Sequence, residues 1–244
     1  MEQQLSRIMD EVFLSESILK PVVFTVLHAG GKFGDGGYKI SGGLHGVGAS
    51  VVNALSVWLE VEIRVDGGVY KQRYERGKAT APLEKIGTCR KNDTGTTVTF
   101  LPDGEIFEKT RFKADAIKSR LHETAYLNPG LTIEFEDKRK GSEDKETFHE
   151  PDGLKAYIKD LNNGKETVCD IVYFKKKQED IEVEVAFQFV NEFEENILGF
   201  CNNIYTQEGG THITGFKTKF TMIINQYARE LGILKDKDAN FTGA

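Results

Sequence analysis

Residues 30–55 read GGKFGDGGYKISGGLHGVGASVVNAL, and this stretch decides which fold the chain can adopt. Its first 19 positions hold nine glycines, and the apolar run Ala49 to Leu55 follows directly. Glycine lets neighbouring backbone N–H groups converge, and a helix that begins beside them adds its own unpaired N–H groups. The stretch is therefore predicted to be a long loop that runs into a short helix, an arrangement that suits an anion.

The order of the glycines excludes two common nucleotide sites. Residues 43–48, GLHGVG, have the spacing G-x-x-G-x-G, the reverse of the dinucleotide-binding order, and no Walker-type G-x-x-x-x-G-K-[ST] sequence occurs in the chain. Lys32 and Lys39 flank the glycines and could neutralise a polyphosphate, while Tyr38 could supply a hydroxyl or an aromatic face. On these residues alone, phosphate binding and a plain surface loop remain equal alternatives.

Beyond the loop, the hydrophobic periodicity switches between that of strands and that of helices. From Leu59 to Val65 apolar residues alternate with charged ones, and Asp66-Gly67-Gly68 predicts a tight turn into a second strand. The predicted elements are strands at 59–65, 69–75, 96–101, 131–136, 168–175 and 181–190, a returning strand that ends near 149, and helices within 1–21 and at 49–55, 112–126, 153–161 and 217–231. Strands followed by helices on one sheet indicate an α+β fold.

Composition limits the classes of function. The 244 residues carry a formal net charge of −6, so the surface as a whole repels nucleic acid, and any DNA contact has to be local or made by a partner. Cys89, Cys169 and Cys201 are widely spaced and odd in number, which argues against a disulfide framework and a zinc site. Because no apolar run is long enough to span a bilayer and the N-terminus has no signal-peptide pattern, we expect a cytoplasmic protein without membrane contacts.

A longer stretch around the loop carries a family resemblance. Residues 26–56, VLHAGGKFGDGGYKISGGLHGVGASVVNALS, resemble the ATP-lid segment of the B subunits of bacterial type II DNA topoisomerases, most of all that of the B subunit of DNA gyrase. The resemblance continues through residues 74–75, 94–96, 127–131, 153–154 and 208–212, and it covers about residues 22–244. The B subunit of topoisomerase IV has the same lid motif and is a close second.

The resemblance implies a fold and a domain organisation. The family combines a GHKL-type ATPase sandwich, shared with Hsp90, MutL and histidine kinases, with a transducer domain of the ribosomal protein S5 domain 2 type. We expect incomplete copies of both: an unmatched segment at 1–21, a partial ATPase domain with its lid at 22–150, and a partial transducer domain at 151–244.

The resemblance also implies the ligand and the residues that hold it. In the family, the loop at 43–48 wraps the ATP phosphates through its backbone N–H groups, and a threonine that matches Thr96 joins a water-bridged network near the adenine. The implied ATP-binding residues are Lys32, Tyr38, Lys39, Gly43, Leu44, His45, Gly46, Val47, Gly48 and Thr96. A purely structural role for His45 is an equal alternative.

The chain departs from the family in its catalytic residues. Hydrolysis in the family needs a glutamate that activates water and, four residues later, an asparagine that holds Mg²⁺, both upstream of the lid, together with a Gln-Thr-Lys loop of the transducer. Residues 1–21 contain Glu2, Glu11 and Glu16 but no asparagine, and no Gln-Thr-Lys occurs. We therefore assign no catalytic or metal-binding residue, and we expect no ATP hydrolysis by these 244 residues alone.

By resemblance, the chain is a fragment of an isomerase component that drives ATP-dependent DNA strand passage and supercoiling. The implied cofactors are ATP and Mg²⁺, and the implied partners are the A subunit of DNA gyrase, DNA and a second copy joined through the ATPase domains. The alternative is a non-catalytic remnant or interaction module of the same B subunit. A mismatch-repair or chaperone ATPase of the same superfold is a third possibility, against which the 31-residue lid match argues.

Overall fold

A computed structural model describes the protein at residues 22–27 and 46–242. The chain divides into two compact units, Met1–Lys113 and Ala114–Ala244. The predicted helix within 1–21 and most of the predicted lid lie outside the described residues. The predicted domain division near residue 150 falls inside the second unit, and it stays a prediction.

The first unit contains an antiparallel sheet of five strands. Strands β1, β2 and β5 form its continuous part in the order β2-β1-β5, while β3 and β4 both pair with the outer edge of β2. The strands are β1 (Ser56–Val65), β2 (Gly68–Glu75), β3 (Lys78–Ala79), β4 (Glu84–Thr88) and β5 (Gly95–Pro102). The strands predicted at 59–65, 69–75 and 96–101 are confirmed. The sequence did not predict β3 and β4, which are short and mostly exposed and therefore leave no alternating pattern.

Alternation along β1 separates a buried face of the sheet from a solvated one. The buried face carries the core, whose side chains are at most 5% exposed: Phe24, Leu59, Val61, Ile63, Val65 and Tyr74. On the solvated face, Glu60 forms ion pairs with Lys71 at 2.7 Å and with Arg73 at 3.7 Å. The turn from β1 to β2 consists of Asp66 and Gly67, whose φ angles of 48° and 78° are those of a type I′ hairpin.

Two short helices pack on the buried face. Helix α1 (Val22–Thr25) contributes Phe24 to the core, and helix α2 (Gly48–Ala54), which confirms the helix predicted at 49–55, packs Ala49 against it. The Phe24 and Tyr74 rings lie 5.7 Å apart. The helix that follows the glycine-rich loop is therefore fixed directly to the sheet.

The second unit consists of three helices and three separate two-stranded ladders, within the part of the chain that the structure describes. In chain order these are α3 (Ala114–Leu127), β6 (Thr132–Asp137), β7 (Asp144–His149), α4 (Leu154–Leu161), β8 (Val172–Gln178), β9 (Ile181–Phe187), β10 (Phe200–Cys201), β11 (Ile204–Tyr205) and α5 (Thr211–Glu230). Helix α3 packs on the β6–β7 hairpin and on α4, and α4 packs on β9. The predicted helices and strands of this region exist. The structure adds the short β10–β11 ladder, which the sequence did not predict, and differs at three further places.

Strand β8 begins at Val172, four residues later than the sequence predicts. Val168 still donates its N–H to the Phe189 carbonyl at 2.8 Å. The Phe189 N–H, however, contacts the Cys169 sulfur at 3.4 Å and not a carbonyl oxygen, and the ladder is interrupted there. The side-chain pattern does not reveal this interruption, because it arises in the backbone pairing.

Helix α5 begins at Thr211, six residues before the predicted start. Gly209 and Gly210 precede it with φ angles of 78° and 151°, and these two non-helical residues set the start of the helix. The His212 ring then lies 3.0 Å from the Thr206 hydroxyl, so the first turn of α5 is tied to the preceding loop.

The polar tail after Lys235 folds back on α5, where the sequence predicts no closing element. The Asn225 side chain donates to the Phe241 carbonyl at 3.0 Å and accepts the Phe241 N–H at 2.7 Å, so one amide side chain pairs with both backbone groups of Phe241. Arg229 donates to the carbonyls of Lys235 and Asp238. None of the described helices is long and apolar enough to cross a bilayer.

Candidate functional site

The described end of the glycine-rich loop is Gly46-Val47-Gly48. Gly46 has a φ of 58°, a left-handed conformation that residues with a Cβ rarely adopt. The Val47 carbonyl accepts the Val51 N–H at 2.9 Å and the Ser50 hydroxyl at 3.0 Å, which starts α2. A Cβ added at Gly48 would meet no atom of the described residues within 4 Å. Residues 22–27 and 46–242 therefore leave space for a ligand beside Gly48.

Asn53 joins the two segments that bracket the loop. Its side chain is wholly buried, and its Nδ2 donates to the Phe24 carbonyl at 2.8 Å. Because Phe24 belongs to α1 and Asn53 to α2, this bond fixes the distance between the helix before residues 28–45 and the helix after them. The Asn53 Oδ1 is buried and has no hydrogen-bond partner in the described structure.

The C-terminal end of α2 is also held by Asp103, whose carboxylate forms an ion pair. The Asp103 N–H donates to the Leu55 carbonyl at 3.0 Å, directly after α2. The nearly buried Asp103 carboxylate pairs with Arg76 at 2.8 Å, and Arg76 also reaches Glu105 at 2.8 Å. The hydrogen bond to Glu105 and the negative charges of Asp103 and Glu105 raise the pKa of the Arg76 guanidinium. The C-terminal end of α2 is thus held twice, by the buried Asn53 amide and by the backbone N–H of Asp103, whose carboxylate is fixed by the ion pair with Arg76.

Thr96 lies on β5, paired with Ile63 of β1, and is exposed. Paired residues of antiparallel strands project to the same face, so Thr96 lies on the face of the sheet that carries the core and α2. Within the described residues β5 pairs only with β1, and its side chains are mostly exposed. A ligand that contacts Thr96 would therefore rest on a part of the sheet that the described elements leave open.

Six of the ten residues predicted to bind ATP lie outside the described part of the chain: Lys32, Tyr38, Lys39, Gly43, Leu44 and His45. The other four, Gly46, Val47, Gly48 and Thr96, belong to the first unit. Among the described residues, no group of three or more His, Cys, Asp or Glu side chains could hold a metal ion. The assignment of these residues to ATP binding stays a prediction.

Sequence reasoning missed two residues that organise this region, Asn53 and Asp103. Asn53 carries a signal, because a polar side chain within an apolar helical run either faces solvent or has a buried partner. The partner cannot be read from the sequence, since the Phe24 carbonyl lies 29 residues away. Asp103 carries no such signal, because an acid after a strand is usually a solvated turn residue.

Comparison with known proteins gives a consistent result. The family model described as DNA gyrase B matches residues 153–244. The chain is 52% identical over 224 residues to the B subunit of topoisomerase 4 from Streptococcus pneumoniae. It is 50% identical over 223 residues to the B subunit of DNA gyrase from Enterococcus faecalis. Each alignment covers 91% of this chain and 34% of the relative, so the chain spans about a third of the length of the curated relatives it matches.

A solved structure supports the same family. The 43K ATPase domain of Thermus thermophilus gyrase B, in complex with an aminocoumarin, superposes with a TM-score of 0.70 at 39% identity, and the match covers 81% of this chain and 54% of that one. The predicted GHKL-type ATPase fold, present as a partial domain, is thereby confirmed. Similar identity to the gyrase and topoisomerase IV relatives does not separate the two. The chain is a member of the family of bacterial type II topoisomerase B subunits, which comprises those of DNA gyrase and of topoisomerase IV.

Proposed function

We propose that the chain is the lid-and-transducer part of a type II topoisomerase B subunit and that it binds ATP through its glycine-rich loop and Thr96. The observation that carries this proposal is the 52% identity to the B subunit of a topoisomerase IV over 224 of 244 residues. An alignment of that length necessarily includes residues 28–48. The aligned range therefore contains the loop that we propose to bind the nucleotide as well as the scaffold.

The geometry of the first unit agrees with a nucleotide site. Gly46 adopts a left-handed conformation at the end of the loop, and no atom of the described residues lies within 4 Å of the Cβ position of Gly48. Asn53 holds α1 and α2 at a fixed distance, which limits where the ends of the loop can lie. The proposed phosphate ligands are Lys32, Lys39 and the backbone of residues 43–48, with Tyr38 and His45 beside them and Thr96 near the adenine.

In the whole protein, we propose, ATP binding and hydrolysis drive DNA strand passage in the cytoplasm. Mg²⁺ would neutralise the phosphates there, and no residue of this chain is assigned to hold it. The proposed partners are the A subunit of the enzyme, DNA and a second B subunit joined through the ATPase domains. The net charge of −6 supports DNA contacts that are local or made by the A subunit.

The alternative is a non-catalytic module of the same protein. It is favoured by one observation, the absence of a Glu-x-x-x-Asn sequence from residues 1–21. Phosphate release from ATP by the purified chain tests whether the chain lacks catalysis. We expect no release above background, and release that Gly46→Val abolishes would show that catalytic residues are present in these 244.

Calorimetry with a non-hydrolysable ATP analogue and Mg²⁺ tests binding itself. Gly46→Val should abolish binding, because valine cannot adopt a φ of 58° without strain and the loop end must move. Gly141→Val is the matched control: Gly141 also has a positive φ, 83°, but lies in the β6–β7 turn with no atom near its Cβ position. A folded wild-type chain that does not bind the analogue would refute the proposed site for this chain.

A second pair of variants tests the adenine end. Thr96 and Thr97 are neighbours on β5 and project to opposite faces of the sheet. Thr96→Val should weaken analogue binding about tenfold, as expected for a lost polar contact to a ligand, while Thr97→Val should leave it unchanged. Equal effects of the two substitutions would assign them to the stability of the edge strand and not to a ligand contact.

A further inference from the structure

Four aromatic rings form a continuous row in the second unit. His122 stacks on Tyr126 with ring centroids 4.3 Å apart, and Tyr126 stacks on Tyr157 at 4.7 Å with an angle of only 5° between the rings. Tyr157 is followed by Phe200 at 6.4 Å. The four rings, called here the aromatic junction, connect α3 with α4 and with the β10–β11 hairpin. Stacked and tilted rings at these distances attract each other beyond simple burial.

His122 adds a polar contact to the junction. Its Nε2 lies 2.7 Å from Oε1 of Glu150, the residue directly after β7, and its ring lies 5.0 Å from Phe148 within β7. Both partners of the pair are partly buried, so the bond is less screened than one on an open surface. One side chain of α3 therefore contacts the hairpin by hydrogen bonding and α4 by way of the stacked rings.

The end of α3 also lies close to the start of α4 and to the β10–β11 turn. The Asn203 side chain, in the β10–β11 turn, donates to the Asn128 side chain at the end of α3, at 2.9 Å. Gly153, just before α4, has a φ of 54°, and a Cβ there would lie 2.8 Å from the Pro129 ring. The end of α3 and the start of α4 thus approach to a distance that only glycine allows.

The tyrosines of the junction remain neutral. Burial, followed by the charges of Asp160 and Glu150 and a hydrogen bond to Asp160, raises the pKa of the Tyr126 hydroxyl. Burial, followed by the charges of Glu123 and Asp160, raises the pKa of Tyr157. The stack consequently contains no phenolate at physiological pH, and the His122–Glu150 pair is its polar link to β7.

We propose that the aromatic junction is the joint that makes residues 114–150 and the start of the predicted transducer, α4 with β10–β11, move as one body, and that His122 is its positioning residue. The physical coupling stands on the contacts of the second unit alone. Its meaning as a relay of nucleotide state rests on the proposed function. The contacts of the aromatic junction cross the predicted domain boundary near residue 150. Two independent domains would instead be joined there by a flexible linker.

Hydrogen exchange on the full 244-residue chain without nucleotide tests the coupling. His122→Ala removes ring and hydrogen bond together, and it should speed amide exchange in α4 and β10–β11 about tenfold while leaving the β1–β2 sheet unchanged. His122→Phe keeps a ring and His122→Gln keeps a donor, so each should give a smaller increase, about threefold. His149→Ala is the control: within the described residues the His149 ring hydrogen-bonds to the Thr132 hydroxyl and lies 3.3 Å from the Leu131 carbonyl, beside its own hairpin, so the substitution should not affect α4.

Two results would overturn the proposal. The first is unchanged exchange in α4 after both His122→Ala and Tyr157→Ala, which would show that the rings do not couple the elements. The second is equal acceleration over the whole unit, which would mean general destabilisation. If calorimetry shows analogue binding, the relay has its own readout: exchange in α4 should respond to the analogue in the wild type and not in His122→Ala, and a wild type that binds without any response in α4 would refute the relay while leaving ATP binding intact.

Discussion

Two antiparallel ribbons of this molecule have the same pattern of side chains and different surroundings. In β1–β2 the apolar residues of β1 that face the core, Leu59, Val61, Ile63 and Val65, are 1–2% exposed. In β8–β9 four apolar residues of one face, Val172, Phe174, Ile181 and Val183, are 42–69% exposed. Their charged faces are alike: Lys71 pairs with Glu60 at 2.7 Å, and Lys175 pairs with Glu182 at 2.7 Å. Alternation decides which side chains share a face, and the covering elements decide whether that face is buried.

The covering elements account for the difference. Val23 and Phe24 of α1, Ala49 of α2, and Leu83 pack against the apolar residues of the first ribbon. The second ribbon is covered at one end, where Phe220 of α5 lies 5.2 Å from Phe187, and its apolar face is open toward the β8–β9 turn. Equal sequence patterns therefore give a core in one unit and an exposed apolar surface in the other.

The largest expected effect tests this comparison directly. Leu59→Ala should cost about 2–5 kcal/mol of unfolding free energy, because it opens a cavity in a covered face. Ile181→Ala, at 69% exposure on the open ribbon, should change stability by less than about 1 kcal/mol. Urea unfolding followed by circular dichroism measures both, and Trp58, the single tryptophan and part of β1, reports the first unit by fluorescence. Equal costs would show that the two faces are buried alike in solution.

A smaller effect tests the cover of the first ribbon. Asn53→Ala removes the donor to the Phe24 carbonyl and leaves that group without its side-chain partner, at a cost of about 1–3 kcal/mol. Trp58 fluorescence in urea measures the shift. Asn191→Ala is the matched control, since its exposed side-chain amide donates to the Glu166 carboxylate at the surface, and it should stay within about 0.5 kcal/mol. No difference between the two variants would mean that α1 is held by packing alone.

The β6–β7 hairpin, which α3 covers in part, gives a pH-dependent prediction. Hydrogen bonds from the Arg139 guanidinium, at 2.8 and 2.9 Å, and from its N–H, at 3.0 Å, lower the pKa of the Asp137 carboxyl. A lowered folded-state pKa contributes stability that is complete above the unfolded value, about 4, and is lost as the pH falls below it. Urea midpoints between about pH 7 and pH 2 should fall less steeply for Asp137→Asn than for the wild type. An Asp137→Asn slope equal to that of the wild type would contradict the prediction.

The smallest effect concerns the Tyr74 hydroxyl, whose burial does not stabilise the fold. The Tyr74 hydroxyl is buried and has no hydrogen-bond partner within the described residues, and burial raises its pKa. Tyr74→Phe should therefore leave stability within about 0.5 kcal/mol of the wild type or raise it slightly. Tyr173→Phe, which loses the hydrogen bond from its hydroxyl to Glu184 at 3.0 Å, should cost about 0.5–1.5 kcal/mol in the same urea assay. A larger loss for Tyr74→Phe would reveal a bound water or another partner at its hydroxyl.

Local pattern predicted most of the elements. The hairpin at Asp66-Gly67, the strand now called β5 and the helices α2, α3 and α4 follow from periodicity and turn residues, which act over a few positions. The predicted starts of β8 and α5 were wrong. The first depends on a backbone N–H that meets the Cys169 sulfur, and the second depends on the conformation of Gly210, and neither leaves a periodic signal.

For the candidate site, the sequence predicted residue types but not their support. The order of glycines in 43–48 and the family resemblance indicated the loop and Thr96 before any geometry was known. The Asn53 bond and the Asp103–Arg76 pair connect residues distant along the chain, and such pairings require the folded sheet. The exposure of β5 also could not be predicted without the folded sheet. Thr96, Val98 and Phe100 alternate with their neighbours as in a half-buried strand, yet Val98 is 44% exposed.

The Asp66-Gly67 turn also has a consequence for the order in which the first unit folds. A two-residue hairpin brings its strands together within microseconds, because the turn closes the shortest possible loop. Strand β5 pairs with the same β1 only after the intervening residues 76–94 have been ordered, and a longer loop closes at a higher entropic cost. The β1–β2 hairpin should therefore be the first part of the sheet to form during synthesis. Its apolar face stays exposed until α1 and α2 dock. Chaperones would bind the chain most readily while that face is exposed.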